Sequence, residues 1–334
     1  MSAAAHRVVL IPGDSVGPEI ADATVLVVEA SGARIEWQEA LFGMRAMVSY
    51  GTPLPQESLE TVRRIGIALK GRLLSAPGSA VLNPNVMLRR ALGLFAQIRP
   101  VRSLPWSRYP DLDLVVVRET TEGEYAGLEH RVVPGVVESI KVVTQAACAR
   151  IGAFAFEHAR ASGRKKVTAV HKANIMKLSD GLFLEAVREV ARAHSDVAYE
   201  EMIVDNAAMR LVLDPYRFDV LVMENFYGDL IADLCAGLAG GIAAARAASL
   251  GDGMAVFEAV HGEAPELVGK NRADPLTLLG SAVLMLQHLG EHDAAVRIER
   301  AVDRVLRDGK TLTHDLGGTA RTVEMAQAIA AAMR

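Results

Sequence analysis

Hydrophobic residues along this chain follow two rhythms. Some form short continuous runs, as in strands covered on both faces of a sheet. Others recur every three or four positions, as on one side of a helix. Continuous runs occupy 111–119 (DLDLVVVRE), 165–171 (KKVTAVH), 202–205 (MIVD) and 218–224 (FDVLVME). Further strands are predicted at 7–12 (RVVLIP), 33–42 (ARIEWQEALF), 65–71 (IGIALKG) and 255–262 (AVFEAVHG). Helical spacing covers Pro18–Ala30, Val86–Leu94, Thr144–Arg160 and Ser179–Ala193, and Pro100 marks a break after the second of these. From Pro275 onward the pattern predicts three amphipathic helices and no strand. The alternation predicts an α/β fold with a mostly parallel, helix-covered sheet.

A chain of 334 residues can bury a large core and is expected to divide into two domains. Aromatic residues are only 5% of it, so that core must be built from Ala, Val, Leu and Ile. A net charge of −4 without a basic stripe excludes a nucleic-acid binder. The cluster Arg164-Lys165-Lys166 reads as a solvated helix end. Cys148 and Cys235 lie in apolar helical settings without metal-ligand spacing, which suits buried free thiols in a reducing compartment. No apolar run approaches the ~20 residues that span a bilayer. The first strand begins too early to leave room for a signal peptide. These features lead to the expectation of a cytoplasmic protein with no membrane or nucleic-acid partner.

Candidate chemistry starts with Asp229 and Asp233 in ENFYGDLIADLCAGLAGG. Residues four apart on a helix share a face, so the two carboxylates repel unless something cationic lies with them. A hard divalent ion is the natural partner, and a solvated helix face is the plain alternative. Arg89, Arg99 and Arg118 each fall at an edge or break of a predicted element. Together they could grip a di- or tricarboxylate; singly each reads as a surface ion-pair partner. Lys172 follows the strand KKVTAVH and so points toward the crevice where α/β enzymes bind ligands. Arginine and metal charge beside it would favour loss of its proton, which suits proton transfer. Tyr125 lies in the glycine-punctuated stretch RETTEGEYAG, read as a loop after a strand. Asp205 ends the strand MIVD and would complete a three-carboxylate cage. This is an inventory for metal-assisted chemistry on a polyacid. GDSVGPE after the first strand lacks the G-x-G-x-x-G pattern, and no P-loop occurs, so a nucleotide would not be held in the ordinary Rossmann way.

The stretches LIPGDSVGPEI, RETTEGEYAGLEH, HKANIMKLSDGLFLEA, IVDNAAM, NFYGDLIADLCAG and FEAVHGEAPELVGKNRADP resemble the isocitrate/isopropylmalate dehydrogenase family, the metal-dependent β-decarboxylating dehydrogenases. RETTEGEYAGLEH and HKANIMK are most similar to the NAD-dependent isocitrate dehydrogenases. The resemblance implies a two-domain α/β fold with a central cleft and one discontinuous domain. Residues 1–99 plus 254–334 would form a large cofactor-binding domain, and 100–253 a small domain with the dimer interface and the metal helix. It implies oxidative decarboxylation of a (2R)-hydroxy polycarboxylate, isocitrate first, with NAD and Mg²⁺ or Mn²⁺. By matching positions, Lys172 would take the hydroxyl proton, Tyr125 would protonate the enolate carbon, and Asp205, Asp229 and Asp233 would surround the metal. Arg89, Arg99 and Arg118 would grip the carboxylates, with Asn83 and Asn85 also at the substrate. In the family Lys172 and Asp205 serve the neighbouring subunit's site, which implies a homodimer. The cofactor would meet Ser75, Asn174, Glu258, His261, Gly262, Ala264, Glu266, Leu267 and Asp274. A carboxylate at Glu266 would accept bonds from the ribose hydroxyls and repel a 2′-phosphate, favouring NAD over NADP.

Departures from the family pattern concern the substrate. Asn83 stands where isocitrate users carry a serine, with Pro84 beside it and Leu82 in place of a polar residue. Ser15 replaces a glycine, Thr120 and Asp274 replace asparagines, and AARAASLGDG (243–252) replaces a proline-rich turn. Homoisocitrate, an alkylmalate, tartrate or a phosphonate analogue are thus alternatives to isocitrate. A non-catalytic regulatory subunit is the alternative of another kind.

Overall fold

A computed structural model describes residues 5–75 and 83–334. Leu82, named above, lies outside the described residues. The chain opens with β1 (His6–Ile11), α1 (Gly17–Ala30), β2 (Ile35–Glu39), α2 (Gly43–Tyr50), α3 (Gln56–Ile65) and β3 (Ile67–Lys70). Next come α4 (Pro84–Ala91), β4 (Ala96–Arg102), β5 (Asp113–Glu119), β6 (Gly123–Val133) and β7 (Val136–Val142). They are followed by α5 (Gln145–Ala161), β8 (Lys166–His171), α6 (Ser179–Arg192), β9 (Ala198–Ile203), α7 (Val204–Leu213), β10 (Val220–Met223) and α8 (Asn225–Leu238). The chain closes with β11 (Ala247–Gly251), β12 (Met254–Glu258), α9 (Leu276–His288), α10 (His292–Asp308) and α11 (Thr322–Ala332).

These elements form two compact units. The first takes the described residues up to Leu92, Leu104–Ser107 and Gly240–Arg334; the second takes Gly93–Ser103 and Arg108–Ala239. In the first unit the strands run β2-β1-β3-β12-β11. All adjacent pairs are parallel except β11 with β12, a hairpin turned at Asp252-Gly253 with Gly253 at φ +68°. In the second unit the order is β4-β5-β10-β8-β9, parallel except for β4 against β5. Strands β6 and β7 form a separate antiparallel hairpin. Apolar positions of β1, β3, β5, β8, β10 and β12 are buried, because helices cover their sheets. The core is aliphatic as composition required, with Val, Leu, Ile and Ala outnumbering a few phenylalanines. Among the described residues no helix is long and apolar enough to cross a membrane.

The mixed sheets differ from the sequence expectation in four strands it did not predict: β4, β6, β7 and β11. Pro100 does not break the chain; it sits inside β4 opposite Val115, since its fixed φ suits an extended strand and only its ladder donor is lost. Strands β6 and β7 carry their apolar residues into solvent within one chain, so no buried stripe announced them. The segment 243–252, expected as a turn, supplies β11. MIVD is not a strand to its end: β9 stops at Ile203 and Asp205 lies in the first turn of α7. The expected helix Val86–Leu94 starts earlier, at Pro84, because Asn83 caps it by accepting the Asn85 N–H at 2.9 Å.

The tips of β1 and β3 approach so closely that a Cβ on Gly71 would lie 2.1 Å from the Pro12 carbonyl oxygen. Beside this contact the buried Asp14 carboxylate accepts the N–H groups of Met44, Arg45 and Leu74 at 2.8–3.0 Å. One side chain thereby fixes the start of α2 and the loop after β3. Ser15, where the family carries glycine, sits at φ +55°, a left-handed conformation costly for a residue with a Cβ. Its hydroxyl donates to the Glu263 carbonyl at 2.6 Å and ties this turn to the loop after β12.

Candidate active site

In the second unit the C-terminal end of β5 faces the first turns of α8. Arg118, buried at the strand tip, donates from Nε and Nη2 to Asn225 Oδ1 at 3.0 and 2.7 Å, and from Nη1 to Asp229. Arg99 on β4, equally buried, donates to Asp233 Oδ1 at 2.6 Å. Asn225, Asp229 and Asp233 thus present one face of α8 to two guanidinium groups, as the four-residue spacing predicted. The helix can lie this close because residue 228 is glycine: a Cβ there would meet Arg118 Cγ at 2.5 Å.

Tyr125 on β6 donates its hydroxyl to Asp229 Oδ2 and lies under the Arg118 guanidinium, 5.1 Å from ring centroid to Cζ. Partial burial, then the bond to Asp229, raises the phenol above its ordinary pKa, so it stays protonated and able to donate. The stretch read as a loop is therefore the start of a strand, which fixes the tyrosine's direction.

Lys172, just past β8, pairs with Asp205 at 2.7 Å. The hydrogen bond from Lys172 holds the exposed Asp205 carboxyl below its usual range. Within one chain the charge beside Lys172 is thus a carboxylate. Asn174 follows it in the exposed turn ahead of α6.

The three-carboxylate cage is not assembled within one chain. Among the described residues no group of three or more His, Cys, Asp or Glu side chains is placed to hold a metal. Asp229 and Asp233 each take an arginine, and Asp205, in the first turn of α7, is occupied by Lys172. Asp229 and Asp233 still fit a hard cation: both are oxygen donors on one helix face, with side chains 37% and 64% exposed.

In the first unit a charged cluster joins the tips of β3 and β12. Lys70, Arg89 and Ser249 converge on the buried Glu258 carboxylate at 3.1, 3.1 and 2.5 Å. Lys70 also donates to Asn85 Oδ1 at 2.9 Å, and Asn85 Nδ2 donates to Leu73 O at 2.8 Å and to Asn83 Oδ1 at 2.9 Å. The carbonyl end of Asn83 is therefore spent on its own helix. Burial opposes ionisation of Glu258, but Arg89 and Lys70 outweigh it and hold the carboxyl far below its usual range. Lys70 is the cation that yields: burial lowers its pKa, and Arg89 and Arg72 add to the effect.

The loop after β12 carries the predicted cofactor residues. Arg72 donates to the His261 carbonyl at 2.8 Å, and His261 Nδ1 lies 2.7 Å from Gly262 O. His261 Nε2 is buried without a partner, and burial lowers the imidazole pKa, leaving a neutral ring. Glu266 and Leu267 sit in the turn Pro265–Leu267, entered by Ala264 at φ +46°. A Cβ at Gly262 would touch nothing within 4 Å. Glu19 accepts the Asn271 N–H at 3.1 Å and steadies the far side of the loop. Asp274 Oδ1 accepts the Leu276 N–H at 2.8 Å at the start of α9; Oδ2 is buried and unpartnered. Burial, with Asp315 nearby, pushes this carboxyl up to about 8. Ser75 is exposed after β3. A cofactor of mixed polarity fits these free polar atoms and the open glycine.

Lys70, Ser249 and Asn225 escaped the sequence reading. Lys70 is the last residue of IGIALKG, an ionisable group at a strand's C-terminal tip, and the rule that singled out Lys172 applies to it equally. Nothing in the sequence distinguishes Ser249 or Asn225.

Strand tips and a helix face bearing acid, base and arginine groups, with no glycine fingerprint, define an α/β enzyme that handles small anions. The model of the isocitrate/isopropylmalate dehydrogenase family matches residues 7–330, and the chain belongs to that family. It is 48% identical over 323 residues to the mitochondrial NAD isocitrate dehydrogenase catalytic subunit 5 of Arabidopsis thaliana, covering 96% of this chain and 86% of that one. It is 47% identical over 307 residues to the chloroplastic 3-isopropylmalate dehydrogenase of Solanum tuberosum, covering 91% and 86%. The crystal structure of isocitrate dehydrogenase from Methylococcus capsulatus superposes with a TM-score of 0.94 at 45% identity, covering 98% and 99% of the two chains. The expected cytoplasmic location does not hold against these relatives, two of which are organellar by name. Free buried thiols and the lack of an apolar span are compatible with any reducing compartment, so neither feature could specify the cytoplasm.

Proposed function

We propose that this chain catalyses NAD-dependent oxidative decarboxylation of a (2R)-hydroxy polycarboxylate, with isocitrate as the first candidate and Mg²⁺ or Mn²⁺ as the cation. The observation that carries the reading is the face of α8, where Asp229 and Asp233 meet Arg118, Arg99 and Tyr125. Carboxylates to hold a cation, guanidinium groups to bind substrate carboxylates and a protonated phenol meet along one face of α8. A bound divalent cation supplies Lewis-acid polarisation of the substrate's hydroxyl and carboxylate oxygens. Held at the loop after β12, NAD would supply the hydride acceptor. Lys172 receives the hydroxyl proton, and Tyr125 donates to the carbon from which CO₂ departs. When substrate enters, Arg99 and Arg118 exchange their present aspartate partners for its carboxylates.

The first unit is assigned the cofactor and the second the metal helix and dimer contact. Leu128, Val132, Val133, Val136, Val137 and Ile140 of the β6–β7 hairpin are exposed in one chain, which supports pairing with a second copy. In a homodimer, Lys172 and Asp205 of each chain would serve the other chain's carboxylate pair. Glu266 at the ribose favours NAD over NADP.

The test is a panel of isocitrate, homoisocitrate, 3-isopropylmalate and tartrate with NAD or NADP and Mn²⁺, following reduced cofactor. Isocitrate with NAD is expected to give the highest kcat/KM, and chelator to abolish turnover. Turnover of another acid would reassign the substrate. No turnover of any acid by folded protein would make the chain a silent subunit.

A further inference from the structure

Outside the groups assigned above, the second unit buries another charged cluster. Lys141 on β7 donates to Asp180 Oδ1 at 2.7 Å and to Glu224 Oε2 at 2.6 Å. All three side chains are nearly or fully buried, at 12%, 0% and 7% exposure. The ammonium also lies 5.0 Å from the ring centre of Tyr227. Asp180 sits in the first turn of α6, and its other oxygen accepts the backbone N–H of Lys172 at 2.6 Å. Glu224 is the residue that enters α8, and its Oε1 is buried without a partner.

One ammonium therefore bridges two buried carboxylates, and each carboxylate is fastened to a different functional element. Asp180 holds the backbone of Lys172. Glu224 opens the helix that carries Asp229 and Asp233. Lys141 itself belongs to the strand paired with β6, which carries Tyr125. Burying this many charges is unfavourable unless each is paired, so a cluster kept only for stability would do better as apolar side chains. Burial pushes Glu224 up to about 7 despite Lys141. The carboxylate excess is thus carried at a cost that packing alone does not require.

We propose that Lys141 is a positioning residue: through Asp180 and Glu224 it holds the strand tip bearing Lys172 and the first turn of α8 in register with the hairpin bearing Tyr125. This inference rests on the reading that Lys172, Tyr125 and Asp229 carry the reaction. Misplacing such groups by about 1 Å costs on the order of 10²-fold in rate.

The experiment uses full-length enzyme with Mn²⁺, NAD and isocitrate. Lys141→Met alone leaves two buried carboxylates facing each other and risks not folding. Lys141→Met combined with Glu224→Gln preserves the cluster's net charge and is the decisive variant. It is expected to fold, to lose kcat on the order of 10²-fold, and to keep KM for the hydroxy acid within about twofold. Lys141→Arg is expected to recover most of the lost rate, which a purely space-filling role would not predict. Amide exchange gives a readout that needs no turnover. In the double variant, exchange at Lys172 and in the first turn of α8 should rise at least ~10-fold, while β8 keeps its protection. A folded double variant with wild-type kcat, or with unchanged exchange at both places, overturns the clamp. Absence of turnover in the wild type would overturn the assigned reaction instead, and the exchange result would still decide the clamp.

Discussion

Glu258 shows what a single residue does in this protein. Its carboxylate neutralises Lys70 and Arg89 in a setting almost free of water, so its ionised form belongs to the folded state far more than to the unfolded one. Its folded pKa lies below the unfolded value of about 4.3. The stabilisation it gives is therefore present above about pH 4.3 and lost as pH falls toward the folded value. Glu258→Gln would leave Lys70 and Arg89 buried without a counterion and should cost roughly 3–5 kcal/mol at neutral pH. Urea unfolding at pH 7 and at pH 4 checks both points: the gap between wild type and variant should narrow at the lower pH. Equal gaps would mean that the carboxylate's charge is not what stabilises the cluster.

At the scale of elements, the approach of α8 to β5 is set by Gly228. Alanine is the better helix former by about 1 kcal/mol. Here, however, its methyl group would press on an arginine stem that Asn225 and Asp229 hold in place. Overpacking of this kind costs about 1–3 kcal/mol and should win. Gly228→Ala is expected to lower the urea midpoint and weaken substrate binding together; a more stable variant would show that the helix can slide. Helix α8 was legible because two like charges four apart on an apolar background demand a shared face. The parallel strands were legible as continuous apolar runs. Strand β4 was not, since Pro100 reads as a break unless its partner strand is known. Asp205 was placed one element too early, because the apolar run MIVD carries across the junction of β9 and α7. The hairpin β6–β7 buries too little within its own chain to leave a pattern. The pairing of Asp229 and Asp233 with arginines could not be read at all, as nothing local links positions 99 and 233 or 118 and 229.

For the whole molecule, the exposed apolar hairpin predicts association. Sedimentation velocity should give a dimer at micromolar concentration, and Val133→Lys with Val137→Lys should shift it toward monomer with parallel loss of turnover. A fully active monomer would mean that one chain completes its own site.

The order of strands carries a consequence for synthesis. Strand β3 lies between β1 and β12, yet β12 begins at Met254, long after Lys70 has left the ribosome. At about 5–20 residues per second, that gap is on the order of 10–40 s. Through this interval the newborn β3 has one flank bare. The second unit, whose residues are complete by Ala239, can assemble while the first still waits for its final helices. Translation speed between Gly71 and Met254 therefore sets how long a sticky sheet margin must be shielded by chaperones.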